Sequence, residues 1–158
     1  MAYKVFISHS TRDQGLVVYL ANLLRRFGVD TSVAEWHLSP GKRLDRKVFG
    51  EIKKSDCVVA LLTRNGTRSD WVQQEIGYSL QLDKLVIPIV EKGVEPEELA
   101  ALQGREYIEY NPYQYDEALT RLSTYLESLK VKKQEKEKAS LVLLGLLALV
   151  LFVSGKGK

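Results

Sequence analysis

The 158-residue sequence predicts a doubly wound parallel α/β sheet. Three observations carry that reading. Short β-branched and aromatic runs recur between Tyr3 and Tyr110, stripes of apolar residues at helical spacing separate them, and polar clusters follow the first and third runs. Apolar strands alternating with helices of ten to fifteen residues imply a parallel sheet covered on both faces. Right-handed crossovers restrict the topology, and for five strands the leading order is the flavodoxin-like 2-1-3-4-5, followed here by a C-terminal transmembrane helix. In such a sheet ligands bind at the switch point between the carboxyl ends of the first and third strands.

The elements follow in order. Lys4 to Ser8 reads as the first strand. Leu16, Leu20, Leu23, Leu24 and Phe27 then form a helical stripe, ended by Gly28 in the stop position. Val29 to Ala34 is the second strand; Leu44, Val48 and Ile52 mark the next helix, which stops before Ser55-Asp56. Cys57 to Leu62 is the third strand, Trp71 to Leu82 a helix capped by Ser69 or Asp70, Leu85 to Val90 the fourth strand, and Tyr107 to Tyr110 a weaker fifth. Leu119, Leu122, Leu126 and Leu129 mark the last helix.

The C-terminal part divides differently. Residues 1–130 form the domain, 131–138 a charged linker or solvated helix extension, 139–155 an apolar segment and 156–158 a short tail. Leu141 to Val153 is apolar all round a helical wheel, so it has no face to show water. About 17 uncharged residues would extend about 25 Å as a helix, within the range for a bilayer crossing. The other reading is a buried core or oligomerisation helix. Lys130, Lys132, Lys133, Lys136 and Lys138 precede the segment and only Lys156 and Lys158 follow, which favours a cytoplasmic N-terminal domain on a single-pass tail anchor.

Composition excludes several function classes. The net charge is only +3 and the basic residues form no stripe within the domain, so nucleic acid is not an expected partner. Cys57 is the only cysteine and sits in an apolar run, which reads as a small buried hydrophobe in a reducing compartment. His9 and His37 lack metal-ligand spacing, and no metal site is expected.

Two polar clusters, Ser8 to Asp13 and Thr63 to Ser69, fall where the switch-point rule places a ligand. Trp71 and Glu75 lie four residues apart, one above the other on one helix face. Taken alone, such a pair is also common on ordinary helices. At the wall of the crevice, an aromatic plane beside a carboxylate suits a flat base and a hydroxylated sugar. Arg12 suits a phosphate or is simply a solvated loop arginine. His9 fits a local hydrogen-bonding role, since no relay partner is spaced to it. No G-x-G-x-x-G run follows the first strand, which disfavours a bound dinucleotide cofactor.

Four segments together resemble a Toll/interleukin-1 receptor (TIR) domain over roughly residues 3 to 125, of the bacterial or archaeal type. Tyr3-Lys4-Val5-Phe6-Ile7-Ser8-His9-Ser10 resembles the family's first box, and Ala34 to Lys42, with Pro40-Gly41, its second. Ser69 to Ile76 looks like the helix that holds the glutamate of NAD-cleaving members, and Val86 to Val90 resembles the fourth strand. The resemblance implies a catalytic role for Glu75, and NAD as substrate rather than cofactor. In that picture Trp71 walls the nicotinamide end, while Ser8, Ser10 and Arg12 contact the rest of the dinucleotide. It also implies that Trp36, Pro40 and Gly41 form an interface with other TIR domains; otherwise they are a long strand-to-helix connection. Two functions follow from the family: an NAD nucleosidase active in signalling or defence after self-association, or a non-enzymatic adaptor module. A deoxyribosyltransferase-like nucleoside enzyme on a related sheet is a third.

Overall fold

The computed structural model describes residues 2–33 and 44–156. Its five parallel strands lie in the order β2-β1-β3-β4-β5, as the sequence predicts. In chain order the elements are β1 (Tyr3–Ser8), α1 (Gln14–Arg26), β2 (Val29–Val33), α2 (Leu44–Lys54), β3 (Cys57–Leu62), α3 (Arg64–Thr67), α4 (Asp70–Gln81), β4 (Leu85–Glu91), β5 (Ile108–Tyr110) and α5 (Asp116–Gly155). A short 3-10 turn over Thr11–Asp13 precedes α1, and a second over Pro96–Leu102 bridges β4 and β5.

Alternation along the central strands divides the core into two layers. Val5 and Ile7 of β1 and Val59 and Leu61 of β3 face α1 and α5, where they meet Leu20, Leu24, Leu119, Leu122 and Leu126. Phe6, Val58, Ala60 and Leu62 point the other way, toward Val48 and Ile52 of α2 and Val72 and Ile76 of α4. Every residue of β3 is buried, which is why it reads as one unbroken apolar run. Each fully buried Leu or Ile in these layers contributes roughly 1.5–3 kcal/mol. At the end of α1 the chain turns through Gly28 at φ +69, a left-handed conformation in which a side chain would be strained.

The strand and helix expectations hold to within a residue or two at their ends, except that the last helix opens at Asp116 and runs on to Gly155 and that Ala34, the expected end of the second strand, lies outside the described residues. Three features were not expected: the turn over Thr11–Asp13, the helix α3 and the turn over Pro96–Leu102. The last has a local cause, since Glu95 and Glu98 form a reciprocal capping box and Pro96 follows at the first position.

The final helix is continuous for 40 residues, so the charged stretch 131–138 is helical and joins its neighbours without a break. Its first turns pack on the sheet through Ala118, Leu119, Leu122 and Leu126. Its apolar end packs on nothing: Leu147, the least exposed of the large apolar side chains there, is still 52% exposed. By length and composition this helix can cross a membrane.

Candidate active site at the sheet switch point

Ser8 ends β1 beside Ala60 of β3, where the winding of the sheet reverses. It is fully buried, and its hydroxyl donates to Glu75 Oε2 on α4. The helix is aimed by its own sequence. Ser69 accepts from the Val72 N–H at 3.3 Å, so Ser69 rather than Asp70 is the cap. Asp70 opens the first turn, where its charge complements the positive end of the helix. Val72, Ile76 and Ser79 form the inner face, and Glu75 shares it at helical spacing. A carboxylate is thereby carried into the interior, with 1% exposure.

That placement governs its protonation. Burial pushes the Glu75 carboxyl up to about 7, with the Ser8 hydroxyl and the Trp71 indole pulling in the opposite direction. Trp71, one turn earlier and half-buried, packs against the Phe6–Ile76 layer. Near neutral pH the carboxyl therefore divides between its two forms.

The two crevice loops are tied together by Asp13. Its Oδ2 accepts from the Thr63 hydroxyl at 2.5 Å and its Oδ1 from the Asn65 amide at 3.0 Å. Thr63 also caps α3, accepting from the Gly66 N–H at 2.9 Å. Glycine is required at that point, because a Cβ on Gly66 would lie 2.1 Å from the Leu61 carbonyl oxygen. Ser10, nearly buried, accepts from the Arg12 N–H at 3.3 Å and shapes the turn into α1. Arg12 is exposed at the rim.

His9 is 3% exposed, and its Nδ1 lies 3.2 Å from the Ile7 carbonyl oxygen, a local hydrogen bond of the kind its sequence context indicates. Burial lowers its pKa, against smaller upward effects from Ile7 and Asp13. Of the residues selected from sequence, Ser8, Trp71 and Glu75 come together. Ser10 and Arg12 stand in the adjoining loop. Trp36, Pro40 and Gly41 lie outside the described residues. Asp13, Thr63 and Asn65 were not selected, although the switch-point rule brings their two loops together and an acid facing a Thr and an Asn will pair.

A separate cleft of about 840 Å³ opens between β4, β5 and α5, lined by Pro88, Tyr107, Arg121 and Tyr125 among others. None of Ser8, Trp71 or Glu75 belongs to it.

The arrangement defines a flavodoxin-like α/β domain with a buried acid at the switch point of its sheet. The TIR domain family matches residues 5–123, and the chain belongs to that family. No curated protein sequence matches it. Solved structures share the fold at low identity. A metazoan TIR-STING receptor from C. gigas, solved with 2′,3′-cGAMP, aligns with TM-score 0.65 and 18% identity over 78% of this chain and 39% of the receptor. The chain thus spans well under half of that protein. The TIR domain of the Toll-related receptor TRR-2 from Hydra magnipapillata aligns with TM-score 0.58 and 21% identity over 69% of this chain and 85% of that domain. The CMP N-glycosidase BcmB of Clostridium botulinum aligns with TM-score 0.55 and 20% identity over 75% of this chain and 97% of that enzyme.

Proposed function

We propose that this chain is a membrane-anchored TIR domain that cleaves NAD to nicotinamide and ADP-ribose, or a cyclic variant, after self-association, in signalling or defence. The observation that carries the reading is Glu75, a buried carboxylate held by Ser8 beside Trp71 at the switch point. A merely structural position on α4 would favour an apolar residue, because burying an unpaired charge is costly.

Cleavage breaks the bond from ribose C1′ to the nicotinamide nitrogen. The bonding pair leaves with the nitrogen and neutralises its positive charge, so no general acid is needed. Positive charge develops at C1′, and the Glu75 carboxylate stabilises it while holding the ribose hydroxyls. Water then adds to C1′ and releases a proton, or an adenine nitrogen of the same molecule closes a ring. Trp71 walls the nicotinamide, and Arg12 at the rim, with Ser10 behind it once the crevice opens, meets the diphosphate. NAD is the substrate, not a resident cofactor. An N-glycosidase on the same fold supports this use of the crevice.

Self-association fits the closed site. With Glu75 1% exposed, substrate entry requires the crevice to open. Contacts of Trp36, Pro40 and Gly41 with a neighbouring domain would supply the opening, in keeping with a TIR domain of the bacterial or archaeal type. The exposed apolar end of α5 supports a bilayer anchor, and the lysine bias around it a cytoplasmic domain, where confinement would raise the effective concentration of copies.

The same burial favours a second reading, a non-enzymatic interaction module in which Glu75 is a sealed remnant. The full chain in vesicles, given NAD and separately a panel of nucleosides, separates these readings by its products. Nicotinamide from NAD supports the nucleosidase, a free base from a nucleoside supports the related glycosidase chemistry, and no product at any vesicle density supports the module.

A further inference from the structure

The pole of the domain opposite the crevice has a composition of its own. In a right-handed α/β sheet the helices run back from the carboxyl ends of the strands to their amino ends, and the contacts of α5 trace that path. Near its start, Asp116 accepts from the Tyr19 hydroxyl at 3.1 Å, within α1. Further on, Lys130 donates to the Phe27 carbonyl oxygen, just past the end of α1, at 3.3 Å. Lys133 then donates to Asp56 Oδ2 at 3.0 Å and to the Ala2 carbonyl oxygen at 3.3 Å, at the amino ends of β3 and β1. The helix therefore leaves the domain at the amino-end pole and continues without a break into the apolar segment.

Distance then becomes decisive. From Lys133, the last clamp on the domain, to Ala139, where the uncharged segment begins, six residues of helix rise about 9 Å. The headgroup layer of a bilayer is about 5–8 Å thick on each side, so the amino-end pole lies against it. No flexible chain intervenes.

The charges at that pole match an anionic surface. The last turn of α1 carries Arg25 and Arg26, the last turn of α2 carries Lys53 and Lys54, and α5 carries Lys132 and Lys136. Several acidic groups nearby are already engaged: Asp56 and Glu137 by Lys133, and Glu51 at 3.5 Å from Lys54. The opposite pole is mixed, with Glu97 and Glu98 in the turn after β4 and Asp116 and Glu117 opening α5, but also Arg12, Arg64, Arg68 and Lys92 in the loops after β1, β3 and β4. Within a Debye length of about 8 Å, a negative bilayer surface attracts the first pole.

We infer that the amino-end pole of the TIR domain, with Arg25, Arg26, Lys53, Lys54, Lys132 and Lys136, docks on anionic phospholipid headgroups of the bilayer that α5 crosses. This rests on the membrane reading above. Docking holds the Glu75 crevice on the far side of the domain, facing solvent, and keeps all copies at one height and in one orientation. Lateral contacts between domains then form along the sides of the sheet.

The test uses the full chain in vesicles of phosphatidylcholine, alone or mixed with phosphatidylglycerol, with a nitroxide on a fraction of the headgroups. A fluorophore is attached through Ala2→Cys at the proposed docking pole or Tyr113→Cys at the crevice pole, Cys57 being fully buried. Docking predicts severalfold stronger quenching at position 2 than at 113 in the anionic vesicles. It also predicts that the difference narrows, down to what the rigid helix alone imposes, in neutral vesicles and in the Lys53→Gln/Lys54→Gln/Lys132→Gln/Lys136→Gln variant. Equal quenching at the two positions, or a difference indifferent to lipid charge and to the four substitutions, in a chain that floats with the vesicles, overturns the docking and leaves the membrane reading standing. A chain that fails to float overturns both.

Discussion

Ser8 and Glu75, 67 residues apart in sequence, share a buried hydrogen bond in which the hydroxyl at the end of β1 donates to the carboxylate on α4. The contact joins the first strand to the helix that follows the third, across the point where the winding of the sheet reverses. It also opposes burial: desolvation favours the neutral acid, and the Ser8 donor favours the anion. The chemistry proposed for the crevice depends on the anion.

The fold carries the cost of that acid. The carboxyl of Glu75 lies near 7 in the folded protein, above its ordinary 4.5. The native state therefore holds the proton more tightly than the unfolded chain does, and its contribution to stability is complete below about pH 4.5 and lost as pH rises through about 7. The full shift corresponds to roughly 3 kcal/mol at most. Glu75→Gln removes the penalty, so thermal melts should show the variant more stable than wild type at about pH 8 and little different at about pH 4.5. His9, whose pKa burial lowers, changes stability in the opposite sense but is common to both proteins and cancels in the difference.

Removing the donor should move the acid further. In Ser8→Ala the carboxylate loses a charge-assisted hydrogen bond worth about 1.5–3 kcal/mol, which raises its pKa by about one unit or more. The acid limb of the pH profile of kcat/KM for nicotinamide release, which reports the free protein, should shift to higher pH by that amount. An unchanged limb in an active Ser8→Ala variant would detach Ser8 from the reacting carboxylate.

Asp13 sets the spacing of the two crevice loops through Thr63 and Asn65. Asp13→Ala leaves two donors to find other partners and should cost about 1–3 kcal/mol in denaturant unfolding. A double-mutant cycle with Thr63→Val should give a coupling of at least about 0.5 kcal/mol, because the residues touch. Additive effects would contradict the bridge.

The apolar end of α5 has its own test. Leu146→Arg places a charge near the middle of the segment, at a penalty of about 2.5–3.5 kcal/mol for insertion. Carbonate-resistant membrane association should fall sharply, while the domain, whose core residues lie far from position 146, keeps its melting temperature. Unchanged association would assign the segment to a protein partner.

The fold was legible because the two core layers write period-two and helical patterns directly into the chain: β3 is apolar throughout, and the Leu20–Leu24 stripe meets Gly28 where α1 stops. The Glu75–Trp71 pair was legible for a different reason, since topology placed its helix at a crevice before any contact was known. Asp13, Thr63 and Asn65 were less visible. Asp13 meets Thr63 and Asn65 only across about fifty residues, and each is an ordinary loop residue until the partner is in place. The burial of Glu75 was also hidden, because helical spacing gives a direction but not the depth of the surrounding packing.

Whether the Glu75 carboxylate acts in NAD cleavage is decided by nicotinamide release from NAD by the 158-residue chain at high density on vesicles, wild type beside Glu75→Gln. Wild type should release nicotinamide steadily and the variant at least about a hundredfold more slowly, with the variant still folded and as stable or more so. Equal release by the two proteins, or none from densely packed wild type, would contradict that role.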